Sequence, residues 1–400
     1  MEKPRSRNLP GLAVVQAGMG RRILCWALTL VVIVAAFLMI PHRLCESGAA
    51  AFWDGDRGRV QAFGTNVDRH LRELGPSRFR TGSRRFDGEW TFGTAMMAAM
   101  GFGQTARAHP SLAPEALARM DLALDAVLSA PARGFDAEAW QEDPLDSLDG
   151  ERGHGAYLGY ANLALSVRRF VEPESRFSAL NDRISVALER RLAAAPAHVI
   201  ETYPGEIYPV DNAAAIASLA LRARALGREP PPVVAQYLEQ VATRFVDPRT
   251  GLLSQALRPD RTPADAPRGS GTALAAYYLS FADEASSRAL HRAVRDHLAG
   301  DVAGFGVVRE YAPGSAHGRG DIDSGPLVFG WSISAMGFGL SGCRVHGDRA
   351  CFDQLYRAFH LFGAPTSPGA EFSFASGGPL GNAIVFAMLT AQPASAWRRG

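Results

Sequence analysis

The feature of the sequence that most constrains its fold is a recurrence of six apolar helical stretches rich in small residues. Successive stretches start 64, 55, 61, 54 and 55 residues apart, so the chain repeats a unit of nearly constant length. Such a period is typical of folds in which one supersecondary unit packs against copies of itself. The stretches begin near Glu89, Gly153, Tyr208, Gly269, Asp323 and Gly378.

Between these stretches lie more charged segments with apolar residues three or four positions apart, as in amphipathic helices. The pentapeptide AMGFG occurs twice, at 99–103 and at 335–339. Alternating apolar and amphipathic helices predict two concentric rings, in which the inner helices are buried on nearly all sides and the outer helices on one. The outer helices are expected at about 56–75, 113–130, 175–195, 231–246, 284–299 and 348–362.

This pattern of twelve helices in six hairpins resembles the (α/α)6 toroid of the six-hairpin glycosidases, the uronyl epimerases and lyases, and linalool dehydratase-isomerase. The resemblance covers residues 52–392 and implies an all-α fold. It also implies a substrate cleft at the rim where loops lead into the inner helices. Because these families catalyse different reactions, the resemblance leaves the reaction open.

An apolar run of 18 residues without a charge, Ile23–Ile40, precedes the predicted toroid. As a helix it would span roughly 27 Å, enough for a thin bilayer. Five cations precede the run, so we predict a single-pass anchor in the inner membrane with an extracytoplasmic or periplasmic domain. A cleaved signal peptide is the alternative. The expected divisions are a cytoplasmic tail at 1–22, a transmembrane anchor at 23–41, a linker at 42–51, the toroid at 52–392 and a disordered tail at 393–400.

The basic residues exclude several classes of protein. Of the 42 basic residues, 41 are arginines, and Lys3 in the N-terminal tail is the only lysine. This excludes enzymes that need a lysine in the fold for a pyridoxal phosphate Schiff base, a Walker-type or kinase phosphate site, or SxxK hydrolysis. With 40 acidic residues the chain is nearly neutral, which gives no electrostatic footprint for nucleic acid.

The glycine, histidine and cysteine patterns predict neither a cofactor nor a metal. GFGLSG at 337–342 matches GxGxxG, but it lies inside a predicted apolar helix, where close helix packing explains the glycines better than a nucleotide. No HExxH or paired histidine spacing occurs, although a calcium site of loop carboxylates stays open. Cys343 and Cys351 flank a predicted turn and are expected to form a disulfide in an oxidising compartment, with two unpaired thiols as the alternative.

Carboxylates cluster at the predicted starts of the inner helices, which converge on one rim of a toroid. Asp321 and Asp323 precede the fifth inner helix, Asp211 opens the third and Glu89 opens the first. Hydrolysis of a glycosidic bond needs one carboxyl group as acid and another as base or nucleophile, and a helix N-terminus favours the ionised form. We therefore expect the carboxyl group of Asp323 to face that of Asp211 or Glu89 at roughly 5–10 Å, with Asp321 and Glu310 in reserve.

Further polar and aromatic residues near these starts are expected to contact a saccharide. For each of them core packing is the alternative, and for the carboxylates the alternative is helix capping. The expected binding residues are Trp90, His154, Tyr157, Glu206, Tyr208, Asn212, Glu310, Tyr311 and Trp331.

Three functions follow from these expectations. The favoured one is a glycoside hydrolase, or a lyase or epimerase, that acts on an envelope or extracellular polysaccharide or oligosaccharide. A linalool dehydratase-isomerase-like enzyme would, by the resemblance, need cysteines in the cleft, whereas Cys343 and Cys351 are expected at the far end of the fifth hairpin. The third is a toroid that binds glycans without catalysis.

Overall fold

Helices make up nearly all the regular structure of the chain. The computed structural model describes residues 10–75, 78–315, 320–322 and 324–398. The first helix, α1 (Pro10–Trp53), contains the apolar run and is the one described helix that is long and apolar enough to cross a membrane. Its residues 21–35 are exposed. The toroid begins where this helix ends.

Six helices form a closed inner ring, which confirms the predicted (α/α)6 toroid. They are α3 (Arg84–Ala108), α6 (Gly155–Val171), α8 (Pro209–Ala225), α10 (Gly269–Leu279), α12 (Ile333–Val345) and α14 (Gly378–Leu389). Each helix packs against the next, and α14 packs back against α3. Nearly all residues of α8 are buried, because the inner helices α6 and α10 flank it and outer helices cover it from outside.

Six amphipathic helices lie outside this ring. They are α2 (Arg57–Arg72), α4 (Ala113–Val127), α7 (Ser178–Ala194), α9 (Pro232–Gln240), α11 (Glu284–His297) and α13 (Arg349–Gly363). In α7 the residues Ile184, Leu188 and Leu192 are fully buried, as their spacing predicts. The additional helix α5 (Ala130–Trp140) packs against α3.

Two short antiparallel hairpins complete the described fold. Strand β1 (Ala299–Val302) pairs with β2 (Phe305–Val308), and β3 (Pro365–Thr366) pairs with β4 (Ser373–Phe374). Because inner and outer helices alternate in direction, the N-terminal ends of all inner helices lie at one rim, which we call the entry rim. Their C-terminal ends lie at the opposite rim, which we call the far rim.

The glycines of the repeated motif allow the inner helices to approach one another closely. A Cβ atom at Gly101 would lie 2.4 Å from the Phe386 side chain, and one at Gly103 would lie 2.4 Å from Val167. GFGLSG lies inside α12, where a Cβ atom at Gly342 would lie 2.4 Å from the His291 ring. Close packing therefore accounts for both glycine motifs.

The fifth inner helix starts later than predicted. It begins at Ile333 rather than near Asp323, a residue that lies outside the described residues, and the Ser332 hydroxyl caps it. Gly325 and Gly330 have φ values of 68° and 83°. Such left-handed conformations interrupt a helix, so the segment between them forms a loop at the entry rim.

Three further boundaries differ from the expectations. Helix α3 begins at Arg84, which places Glu89 in its second turn. Residues 42–51, expected to be a linker, belong to α1 and pack against α13. The expected disordered tail instead contains a short 3-10 helix, Ala394–Trp397, whose fully buried Trp397 packs against Phe281 with ring centroids 5.0 Å apart.

Candidate active site at the entry rim

A carboxylate pair bridged by an arginine lies where α3 meets the loop before α8. Glu89 accepts a hydrogen bond from Arg85, one helical turn earlier, at 3.1 Å and another from the Tyr203 hydroxyl. Arg85 also contacts Glu206 at 3.2 Å, and its guanidinium carbon lies 3.5 Å from the centre of the Tyr203 ring. The Tyr208 hydroxyl donates to Glu206 at 2.9 Å. These contacts hold both carboxylates in place.

Asp211 joins this group from the first turn of α8, where the sequence predicted it. Its carboxylate accepts hydrogen bonds from the Tyr160 hydroxyl of α6 and, at 2.9 Å, from the Thr202 hydroxyl. The residue is only partly buried. Three elements, α6, α8 and the loop before α8, therefore position one carboxylate at the rim.

The tyrosines at this rim stay protonated at neutral pH. Burial raises the pKa of Tyr203 far above its ordinary value, and the nearby charges of Glu89 and Asp211 add to the effect. Burial, followed by the charge of Asp211, does the same for the pKa of Tyr160. Both phenols are consequently hydrogen-bond donors. Because Glu89 and Asp211 accept hydrogen bonds from the consecutive residues Tyr203 and Thr202, their carboxylates belong to one cluster, and such a cluster can exchange protons with a bound substrate.

A second charged group lies where α10 begins. Arg268 donates to Glu310 at 2.7 Å and forms two hydrogen bonds with Asp321, at 2.6 and 2.8 Å. Glu310 is fully buried and also accepts a 2.5 Å hydrogen bond from the Ser270 hydroxyl. Burial acts against ionisation of Asp321, but hydrogen bonds from Arg268 and Ser324 outweigh it and lower the pKa of Asp321 to about 2. Asp321 is therefore an anion at neutral pH.

Four of the expected aromatic residues are partly exposed and could contact a ligand. Trp90 packs edge to face against Phe79, and Trp331 packs in the same way against Phe329, each pair with centroids 5.6 Å apart. Partly exposed aromatic faces are suited to pack against apolar faces of saccharide rings. The four residues are Trp90, Tyr208, Tyr311 and Trp331.

Four residues expected to bind substrate are buried instead. His154 is fully buried, with its Nδ1 atom 2.5 Å from Asp136 and its ring against Trp140. The buried Tyr157 donates to a backbone carbonyl at 3.2 Å. The Asn212 amide bonds to the backbone of residue 200, which fastens the loop before α8. Together with the buried carboxylate of Glu310, these side chains support the rim from behind and are not accessible to a ligand.

Four residues that organise the rim were not expected from the sequence. Arg85 could have been found from its spacing of four residues before Glu89, because such pairs face each other on a helix. Tyr160, Tyr203 and Arg268 gave no comparable signal, since their partners are distant in sequence or lie in irregular loops.

The cysteines lie away from the entry rim. Cys343, in the last turn of α12, forms a disulfide with Cys351, in the first turn of α13, with Cα atoms 5.6 Å apart at the far rim. Cys25 and Cys45 belong to α1. Among the described residues the one group close enough to hold a metal is His291 with Cys343 and Cys351, and the disulfide occupies both sulfurs.

Fold and site together define an (α/α)6 toroid with clustered carboxylates at the rim from which its inner helices start. No family model matches the chain, and no curated protein matches its sequence. Solved structures do match. The GH76A alpha-1,6-mannanase from Salegentibacter sp. HEL1_6 has a TM-score of 0.51 at 12% identity, covering 84% of this chain and 98% of that chain.

Two more structures show the same likeness. An inactive variant of that mannanase, with two consecutive aspartates changed to asparagine and with alpha-1,6-mannotriose bound, gives a TM-score of 0.51 at 13% identity, covering 85% and 99% of the two chains. An unsaturated glucuronyl hydrolase specific for heparin gives 0.50 at 9% identity, covering 83% and 95%. At such identities the likeness shows the fold.

Proposed function

We propose that the protein is a membrane-anchored, extracytoplasmic glycoside hydrolase that uses carboxylates of the entry rim. The observation that carries the proposal is the cluster at the start of the inner helices in which Tyr203 donates to Glu89 and the neighbouring Thr202 donates to Asp211. The fold is shared with enzymes that act on glycans, and one of them binds a mannotriose. The anchor would be the exposed apolar part of α1.

Glu89 and Asp211 are the proposed catalytic pair on the α3 and α8 side. One would protonate the leaving oxygen while the other acts as base or nucleophile. Asp323, which lies outside the described residues, is the candidate for the opposite side. Asp321 is restricted to an anionic role because the hydrogen bonds from Arg268 hold its pKa near 2. Trp90, Tyr208, Tyr311 and Trp331 would line the saccharide site.

A second candidate is a toroid that binds glycans without hydrolysis, and one observation favours it. The mannanase loses activity when two consecutive aspartates are replaced, whereas this chain has no two consecutive aspartates. Asp211 is followed by Asn212, whose amide is engaged with backbone. A hydrolase must therefore take the partner of Asp211 from another element. A linalool-type reaction has no such support, because the four cysteines of the chain, all of them among the described residues, lie in α1 or at the far rim.

The test is a glycan panel with product analysis, run on the full chain in detergent. Asp211→Asn and Glu89→Gln should each lower turnover about 10²-fold or more while the fold survives, since positioned proton transfer contributes on that scale. Asp283→Asn is the matched control, because Asp283 caps α11 at the far rim and asparagine caps almost as well. If both rim variants keep wild-type turnover, the site assignment is wrong. Binding without any product would favour the second candidate.

A further inference from the structure

The course of α1 relates the membrane to the entry rim. The second half of this helix packs antiparallel to α13: the Cys45 thiol lies 3.8 Å from the Arg357 carbonyl, and Trp53 packs on Phe352 with centroids 5.2 Å apart. Asp54 pairs with Arg349 at the start of α13. The chain therefore enters the domain beside the C-terminal half of α13 and runs toward its first residue.

The C-terminal end of α13 lies at the entry rim. The Ser376 hydroxyl, just before α14, donates to the Phe362 carbonyl at 3.0 Å. At the other end of α1, Arg344 in the last turn of α12 donates to the Phe52 carbonyl. Helix α1 thus runs from the entry rim to the far rim, and its apolar part leaves the domain from the entry rim.

The level of the membrane surface follows from the contacts of His42. This residue lies two positions after the end of the apolar run at Ile40, and its Nε2 atom lies 2.6 Å from the Ala303 carbonyl in the turn between β1 and β2. Since Cys45 is level with Arg357, a helical rise of 1.5 Å per residue places Ile40 about level with Phe362. The end of the apolar run and the entry rim therefore share one level.

Exposed apolar side chains lie on this rim, where a bilayer would meet the domain. They come from three elements: the end of α13, the loop before α12 and the turn of the first hairpin. Single exposed apolar residues are ordinary, but a group at the level where a membrane helix emerges is suited to the lipid interface. The residues, with their exposed fractions, are Leu361 at 51%, Phe362 at 60%, Phe329 at 81%, Val328 at 57% and Val302 at 46%.

We propose that the entry rim faces the bilayer, so that the substrate is a saccharide carried at the membrane surface by a lipid. The proposal rests on the proposed function for its substrate and on the packing of α1 for its orientation. A site held this close to the lipid headgroups meets glycans attached to the membrane at high effective concentration, whereas a free polysaccharide must enter between domain and membrane.

The orientation is tested without any substrate. Single cysteines are placed at Phe362 on the entry rim and at the exposed Glu229 on the far rim, in a Cys25→Ala, Cys45→Ala background. The full chain, carrying a fluorophore, is reconstituted in phosphatidylethanolamine and phosphatidylglycerol vesicles with spin-labelled headgroups. We expect strong quenching at position 362 and little at 229. Equal quenching, or stronger quenching at 229, would overturn the orientation whatever the enzyme's reaction.

The substrate class is tested with a saccharide that the glycan panel shows to be cleaved, offered free and as its lipid conjugate in the same vesicles. Leu361→Glu with Phe362→Glu should lower cleavage of the conjugate roughly tenfold and leave the free saccharide unaffected, because charges oppose insertion of the rim into the interface. Val186→Glu is the matched control, since Val186 is 58% exposed on α7. Equal losses on both substrates, or no preference for the conjugate in wild type, would refute the substrate class.

Discussion

Replacing Arg268 with methionine should destabilise the fold more than any surface arginine substitution. The carboxylate of Glu310 is fully buried, and the Arg268 side chain, 8% exposed, lies 2.7 Å from it. Without Arg268 the hydrogen bonds that remain to the Glu310 carboxylate from the part of the chain that the structure describes are those from Ser270. Breaking a buried ion pair in this way costs about 3–5 kcal/mol. The contact with Asp321 adds about 1 kcal/mol at most, because that carboxylate is 46% exposed and screened by water.

A double-mutant cycle separates this effect from lost packing. Arg268→Met, Glu310→Gln and the double variant are unfolded with urea in detergent and followed by circular dichroism. Glu310→Gln together with Arg268→Met removes both charges, so the double variant should be more stable than Arg268→Met alone by about 1–3 kcal/mol. Arg176→Met is the matched control: Arg176 pairs with Asp125 at 2.6 Å, but the two side chains are 57% and 48% exposed. Its loss should stay below about 1 kcal/mol.

Two results would contradict this reasoning. The stability lost in Arg268→Met could equal that lost in the exposed control Arg176→Met. Alternatively, the stability losses of Arg268→Met and Glu310→Gln could simply add in the double variant. Either would mean that Glu310 does not depend on Arg268 for its charge balance. The loop that carries Asp321 would then need another explanation for its position.

Two further predictions concern the far rim. Burial lowers the pKa of His291 from 6.5 to about 4. The folded state therefore keeps this imidazole neutral, and its contribution to the free energy of unfolding is fully present above about pH 6.5 and is lost as the pH falls toward 4. Urea titrations should show this loss, at most about 3 kcal/mol, and His291→Gln should flatten that part of the curve. The bond between Cys343 and Cys351 closes a short loop with a sequence separation of 8, so the Cys343→Ser, Cys351→Ser variant should lose about 2–3 kcal/mol. Non-reduced peptide mapping should find the two cysteines linked, and full alkylation without reductant would refute the bond.

The closed ring could be predicted from the sequence because inner helices have a distinctive composition. Small residues permit the close approach seen at Gly101 and Gly103, and outer helices keep one polar face. Helices α10 and α14 begin at Gly269 and Gly378, where the period placed them. The repeat period predicted the wrong start for α12, because turns with positive φ values in the preceding loop move that start to Ile333. Helical periodicity carries no information on such turns.

The site could be predicted only in part, because a position near a helix start does not fix where a side chain points. Asp211 lies where the pattern placed it. His154 has a φ value of 48°, and in that left-handed conformation its ring meets Asp136 behind the rim. Tyr157 packs against Phe92, whereas Tyr160, a turn later, reaches Asp211. The direction of each side chain depends on tertiary packing that sequence spacing does not show.

Asp321 and Asp211 are held at the entry rim in different ways, and this difference restricts the chemistry. At α10 a guanidinium with two hydrogen bonds keeps Asp321 ionised, with its pKa lowered to about 2. An anion so strongly held cannot protonate a leaving oxygen at neutral pH. At α8 the carboxylate of Asp211 accepts hydrogen bonds from neutral hydroxyl groups, which stabilise an anion less than a guanidinium does. If the protein hydrolyses glycosides, Asp211 or Asp323 is therefore better suited as the proton donor than Asp321 or than Glu89, which accepts a hydrogen bond from Arg85. Asp321 then serves as an anion that positions its loop.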